Sequence, residues 1–230
     1  MWALPRNWPG GPDLTRRALL RSGAALACAW AFSLAAQSPP GRDQLPLVRP
    51  DVAVGDEWVF RRTSAAGARL MRQSITAVAP DSISLKTEEA GSLDSSVAVH
   101  DRHWGLLASG FNDYRPALAY YVYPLYPGKR WGIDSAVSNF GAGQSGRIRG
   151  EGMAIGWEEI VVPAGRFAAL RVEVTLETSD PGDAARVVRV REVHWLAAQA
   201  LRAVRVQSEV EVAGEDVRRE TVELMSFRIE

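Results

Sequence analysis

Three histidines, His100, His103 and His194, are the whole supply of imidazole in 230 residues. His100-Asp101-Arg102-His103 is the only local pair. A spacing of three could bring both rings together on a helix or tight turn, with Asp113 as a third metal ligand. The flanking residues read instead as a strand end followed by a turn, where side chains diverge. The expectation is two solvent-exposed turn histidines and no metal site. His194 stands beside Trp195 on an expected strand, which makes it a packed or rim residue rather than a base.

Other catalytic groups lack partners in the sequence. Gly143-Gln144-Ser145-Gly146 falls one residue short of the serine elbow G-x-S-x-G, and no helix follows it. Asp56-Glu57 and Glu158-Glu159 are adjacent carboxylates, and neighbours on a strand point to opposite faces, so neither pair forms a dyad from one strand. Each reads as one exposed and one rim residue. No glycine-rich loop opens a helix to cradle a phosphate. The expectation is no catalytic residue and no cofactor. An acid and a hydroxyl within hydrogen-bond reach of His194 would shift that reading toward a small hydrolase.

The aromatic residues stand out more. All five tyrosines, Tyr114, Tyr120, Tyr121, Tyr123 and Tyr126, fall within thirteen positions. Pro116, Pro124 and Pro127 break any long helix there. Trp58, Trp104, Trp131, Trp157 and Trp195 are spread over the expected strands, where a large apolar ring suits a core. An amphipathic aromatic segment beside an open β-surface suits the mouth of an apolar ligand cavity or a protein-docking edge. Tyr120, Tyr121, Tyr123, Tyr126 and Trp131 are therefore the candidate ligand-binding residues, with core packing as the alternative. If Tyr120–Leu125 is a strand, Tyr121 and Tyr123 share one face and Tyr120 takes the other.

Strands must position these groups. Trp157–Val162 is an apolar run, and Leu170, Val172, Val174 and Leu176 alternate with Arg171, Glu173, Thr175 and Glu177. A period of two puts one set on a buried face and the other in water. Pro163-Ala164-Gly165 supplies the turn of the resulting hairpin, with glycine at positive φ. Further strands are expected near Trp58, over 69–78, 82–87 and 95–100, over 185–195 with a β-bulge near Arg191-Glu192, and over the alternating 204–212 and 217–229. The glycine-rich 139–152 reads as a loop or irregular edge. No part of the chain from residue 37 on keeps a helical apolar period over three turns. The expected fold is all-β, an antiparallel open barrel or half-barrel of about a dozen strands.

The amino terminus reads as an address. Thr15-Arg16-Arg17-Ala18-Leu19-Leu20-Arg21 precedes an uncharged run from Ser22 to Ala36, shorter than the roughly 20 residues of a membrane-spanning helix. A charged head, a short apolar segment and small residues describe an export signal over residues 1–36, cleaved between about Ser33 and Ser38. The paired arginines fit twin-arginine export, with the general secretory route as the alternative. A flexible linker over 37–50 and one β domain over 51–230 follow, with no membrane span in the mature protein. Cys28, the single cysteine, lies in the signal, so the mature chain has no disulfide or thiolate chemistry. The 27 basic and 27 acidic residues balance, and residues 1–36 hold four of the former against one of the latter. A slightly acidic remainder without a basic run excludes nucleic-acid binding.

Tyr123-Pro124-Leu125 with Gly128-Lys129-Arg130-Trp131, Val162-Pro163-Ala164-Gly165-Arg166-Phe167 with Leu170-Arg171-Val172, and Val193-His194-Trp195 form a pattern that resembles exported, uncharacterised proteobacterial β-proteins. Those are similar in outline to the half-barrel periplasmic lipoprotein carriers. After Trp195 the likeness breaks, at Leu196-Ala197-Ala198. The resemblance implies a fold and the periplasm, and no active site. With the export signal, the sheet and the unaccompanied aromatics, the expected function is a non-enzymatic periplasmic protein. It would bind a lipid or other apolar ligand, or an envelope protein, on its concave face. A small hydrolase and an adaptor module of an envelope complex are the alternatives.

Overall fold

The structure, a computed structural model, describes residues 45–92, 95–139, 144–180, 183–212 and 214–230, with the backbone alone at 144, 179, 180 and 183–186. The expected export signal lies outside the described residues. Twelve strands follow one another: β1 Glu57–Ser64, β2 Gly67–Val78, β3 Ser82–Glu89, β4 Ser95–Asp101, β5 Leu106–Ser109, β6 Asn112–Leu118, β7 Arg130–Asn139, β8 Gln144–Val162, β9 Gly165–Asp180, β10 Asp183–Ala197, β11 Arg202–Val212 and β12 Arg218–Arg228. Each pairs antiparallel with the next, and β12 returns to β1 through Trp58 opposite Phe227 and Arg62 opposite Val222. The sheet is thus a closed up-and-down barrel.

The expected all-β antiparallel class and strand number hold. The open edge does not, because β1 is paired on both sides and closure removes the unpaired N–H and C=O groups of an edge. Residues 144–152, expected as a loop, are strand β8: Gly146, Gly150 and Gly152 pair with Val137, Ile133 and Trp131. Glycine there is a device of close packing. A Cβ on Gly152 would lie 2.2 Å from the indole of Trp131, which covers it. The bulge expected near Arg191-Glu192 falls instead at Trp195/Leu196. Arg191 and Glu192 pair regularly with Glu209 and Ser208. The apparent slip in the sequence arises because Glu192 faces the interior.

Hairpin β8–β9 behaves as its pattern requires. Leu170, Val172, Val174 and Leu176 are buried, and Gly165 has φ +135°. The amide of Ala164 at its tip donates to the carbonyl of Leu224 on β12 (3.0 Å), so the hairpin folds over one end of the barrel. Outward positions on β9–β12 carry charge, with Arg189 beside Glu177 (3.2 Å) and Arg205 beside Glu223 (2.7 Å). A membrane-spanning barrel has the reverse pattern, an apolar outside.

Antiparallel order brings the starts of odd strands and the ends of even ones to that same end. There Asp56, fully buried and not at a rim, accepts from the amides of Ala53 and Glu230 (2.9 Å each) and ties the two ends of the domain together. The described part of the expected linker is anchored there too. Leu47 and Leu125 exchange two backbone hydrogen bonds of 2.8 Å, and both side chains are buried.

Candidate functional site

β10 turns Glu192 and His194 inward as successive residues of its buried face. Nε2 of His194 lies 2.8 Å from Oε2 of Glu192, and Nδ1 is hydrogen-bonded to the hydroxyl of Tyr121. With Nε2–H donating to the Glu192 carboxylate, Nδ1 is the ring atom that meets the Tyr121 hydroxyl. His194 is 0% exposed and Glu192 8%. Glu192 is a charge that a half-buried strand pattern would place outside, and the imidazole is what holds it in.

Tyr121 arrives from 119–129, the connection between β6 and β7. These strands pair only over Asn112–Arg115 and Ala136–Asn139, and then separate. The connection between them is irregular apart from the Leu125 bridge, because Pro124 offers no amide to a ladder. The expected strand over Tyr120–Leu125 is therefore absent. Its alternation fails with it: Tyr120 and Tyr121 both pack on His194, at ring separations of 5.9 and 5.5 Å.

The five candidate residues divide. Tyr120 and Tyr121 are buried inside, and Tyr123 is half-buried beside Tyr121 at 6.0 Å. Tyr126 is 48% exposed on the outside, with the Lys129 ammonium 5.7 Å from its ring. Lys129 donates to the carbonyls of Val122 and Pro124, folding the segment on itself. Trp131 belongs to the barrel wall, its ring against Gly152. Burial drives the phenols of Tyr120 and Tyr121 well above their ordinary value, with the Glu192 charge adding to it.

A second group adjoins the first. Arg202, the first residue of β11, is 8% exposed. Its guanidinium stands 5.0 Å from the ring of Trp58, 5.3 Å from Trp104 and 5.9 Å from Phe60. Burial lowers it to about 10, against the opposing influence of Tyr121 and Tyr123. The Trp58 indole N–H donates to the Ala200 carbonyl (2.7 Å), within the 3-10 turn Ala198–Ala200 that leads into Arg202.

His100 packs on Trp104 at 5.4 Å and is 0% exposed, against the expectation of a solvated turn histidine. Burial, with the Arg202 charge nearby, depresses it to about 3, so the ring is neutral. His103 is exposed as expected. The two rings diverge because His100 ends the buried face of β4 and His103 lies in the following turn. Among the described residues no three of histidine, cysteine, aspartate and glutamate are grouped to hold a metal.

Arg202 and Glu192 are site residues that the sequence reading missed, and His100 was expected in solvent. The displaced alternation at Glu192 was the one available signal. Arg202 stands two residues before Val204, on the buried register of that alternation, and only its charge argued for the outside.

No family model matches the chain, and no curated protein does. Solved structures do match. A predicted lipoprotein from Parabacteroides distasonis ATCC 8503 has a TM-score of 0.50 at 13% identity, covering 80% of this chain and 100% of its own. A predicted exported protein with a YmcC-like fold from Bacteroides fragilis NCTC 9343 has a TM-score of 0.50 at 12% identity, with the same coverages. The hypothetical lipoprotein YmcC from Escherichia coli (K12) has a TM-score of 0.43 at 14% identity, covering 75% of this chain and 84% of its own. The first two establish a shared fold. That likeness is not confined to proteobacteria, and the closed barrel differs from the half-barrel of the carriers.

Proposed function

We propose that this chain is an exported, non-enzymatic β-barrel protein that holds an apolar ligand inside the barrel, at the end where Tyr121 and Arg202 lie. The observation that carries the reading is the closed ring of twelve strands. Eight strands are enough for side chains to fill a barrel, and larger rings enclose room for a ligand. The 119–129 connection supports it, since the Tyr121–His194 hydrogen bond, the Leu47–Leu125 bridge and the backbone hydrogen bonds of Gly128 and Lys129 with Ala154 hold it over the place where β6 and β7 separate. Of the five candidate residues, Tyr120 and Tyr121 are buried there and Tyr123 is half-buried beside Tyr121, while Trp131 packs on Gly152 and Tyr126 is exposed.

Export to the periplasm rests on Arg16-Arg17 and the apolar run after them, and on the fold shared with a predicted exported protein. Lysine at both positions blocks export on the twin-arginine route. Normal export of that variant reassigns it to the general secretory route.

Native mass spectrometry of the protein purified after export tests the ligand reading. A retained apolar adduct, or a mass shift with added dodecanol, is the expected result. A ligand-free mass under both conditions overturns it.

One observation favours the hydrolase reading: the Tyr121–His194–Glu192 chain has the hydroxyl, imidazole and acid that such an enzyme needs. Against it, burial makes the Tyr121 phenol harder to ionise, and His194 is closed to solvent. Hydrolysis of short-chain esters that disappears in His194→Ala would establish the enzyme.

A further inference from the structure

Arg202 is a permanent cation within the barrel, and no described carboxylate pairs with it. Its Nη1 has no hydrogen-bond partner among the described residues. Three aromatic faces at 5.0–5.9 Å attract the charge. They accept no ordinary hydrogen bond from Nη1, and an unpaired buried ion remains costly.

An unpaired donor next to Arg202 points the same way. The indole Nε1 of Trp104 also lacks a partner, so arginine and tryptophan each offer a donor with nothing to receive it. Buried donors without acceptors are rare in folded proteins, and two side by side call for a common acceptor.

Trp104 is also held in a left-handed backbone conformation, φ 66°. A bulky residue there is a strained outlier, and such strain is retained where the surroundings enforce it. Asp101 does the enforcing: its Oδ1 accepts from the amides of His103 and Gly105, both at 2.8 Å. The turn that aims Trp104 over Arg202 is built for that placement.

We infer that Arg202 and Trp104 form a binding site for the carboxylate of an acyl-chain ligand. The inference rests on the proposed interior ligand and supplies its head group.

Charge selects the carboxylate. Arg202 is the one cation of the cluster, while His100 and the nearby phenols are neutral. One positive charge balances a monoanion and leaves a phosphate monoester with an unpaired second charge. Glu192, bound to His194 in the same interior, repels that excess. A guanidinium fork also matches the two oxygens of a carboxylate. Trp58 and Phe60, with ring centres 5.0 and 5.9 Å from the guanidinium, give an acyl chain an aromatic wall.

Calorimetric titration of the exported protein with dodecanoate, dodecanol and dodecyl phosphate tests the site. The expected result is dodecanoate binding at least tenfold tighter than either of the others. Arg202→Gln is expected to erase that preference by weakening dodecanoate binding at least tenfold. Should Arg202→Gln fail to fold, Arg202→Lys and Trp104→Phe decide. Both are expected to lower the dodecanoate preference at least threefold, Trp104→Phe because it deletes the indole N–H and keeps a ring.

Equal affinity for dodecanoate and dodecanol overturns the carboxylate site while the barrel-ligand reading stands. Tighter binding of dodecyl phosphate overturns the choice of anion. A preference unchanged in Arg202→Lys and Trp104→Phe removes those residues from it. Binding of none of the three ends both readings together.

Discussion

The hydroxyl of Tyr121 is hydrogen-bonded to Nδ1 of His194, a residue 73 positions later in the chain, and the contact joins an irregular connection to the inner face of β10. Tyr121 thereby behaves as a core residue with a polar tip rather than as one ring of an open mouth. Tyr121→Phe should cost about 1–3 kcal/mol, because it leaves Nδ1 buried without a partner. Tyr121→Ala should cost about 3–5 kcal/mol through the lost packing. Tyr126→Ala, on an exposed ring, should stay within about 0.5 kcal/mol of the parent. Urea denaturation of the three variants measures this, and equal midpoints for the two alanine variants would show that Tyr121 does not anchor the segment.

Trp131 and Gly152 should be energetically coupled. Gly152→Ala drives a Cβ into the indole and should destabilise by about 1–3 kcal/mol, the usual cost of overpacking. In a Trp131→Leu background the same change should be nearly neutral. A double-mutant cycle with a coupling energy near zero would refute the stacked geometry.

His100 should make the fold acid-sensitive. Its folded value of about 3 lies below the ordinary 6.5, so the unfolded chain takes up a proton that the folded chain refuses. Stability contributed by the neutral ring is complete above about pH 6.5 and is lost as pH falls toward 3. The slope is on the order of 1 kcal/mol per pH unit. His100→Leu removes the titration and places an apolar side chain at that buried position. It should melt no lower than the parent at pH 7 and show a flatter decline between pH 6 and 4. An unchanged decline would mean that His100 is protonated in the folded barrel.

The β8–β9 hairpin should control stability. Gly165→Val forces a branched side chain into φ +135° and should cost on the order of 1–3 kcal/mol from the backbone alone. Val172→Ala opens a gap at a fully buried position and should cost a similar amount. Wild-type melting temperatures for both would make the hairpin peripheral.

Local pattern determined the elements of this protein wherever a strand has one wet face and one dry face. Leu170–Glu177 and Val204–Val212 alternate with the pleat, and turn residues such as Pro163-Ala164-Gly165 close them, so strand, face and turn follow from neighbours in the chain. The pattern weakens where a strand is made of glycine. Gly146, Gly150 and Gly152 look like a loop, and only their pairing with Val137, Ile133 and Trp131 of β7 reveals a strand.

Barrel closure lay beyond any local signal, because the pairing of β1 with β12 joins residues some 160 positions apart, as in the Arg61–Glu223 contact. The site is of the same kind. Glu192 and Arg202 lie on the inward register of β10 and β11, where only their charge argues for water, and their burial depends on His194 two residues beyond Glu192 and on Tyr121, Trp58 and Trp104, brought in from three other parts of the chain. A buried charge is tolerated only through its partners, and those partners exist only once the barrel has formed. Residue types and spacing therefore determined an all-β chain with a tyrosine-rich segment. Tertiary structure alone decided that two of those tyrosines turn inward and that Arg202 is enclosed against Trp58 and Trp104.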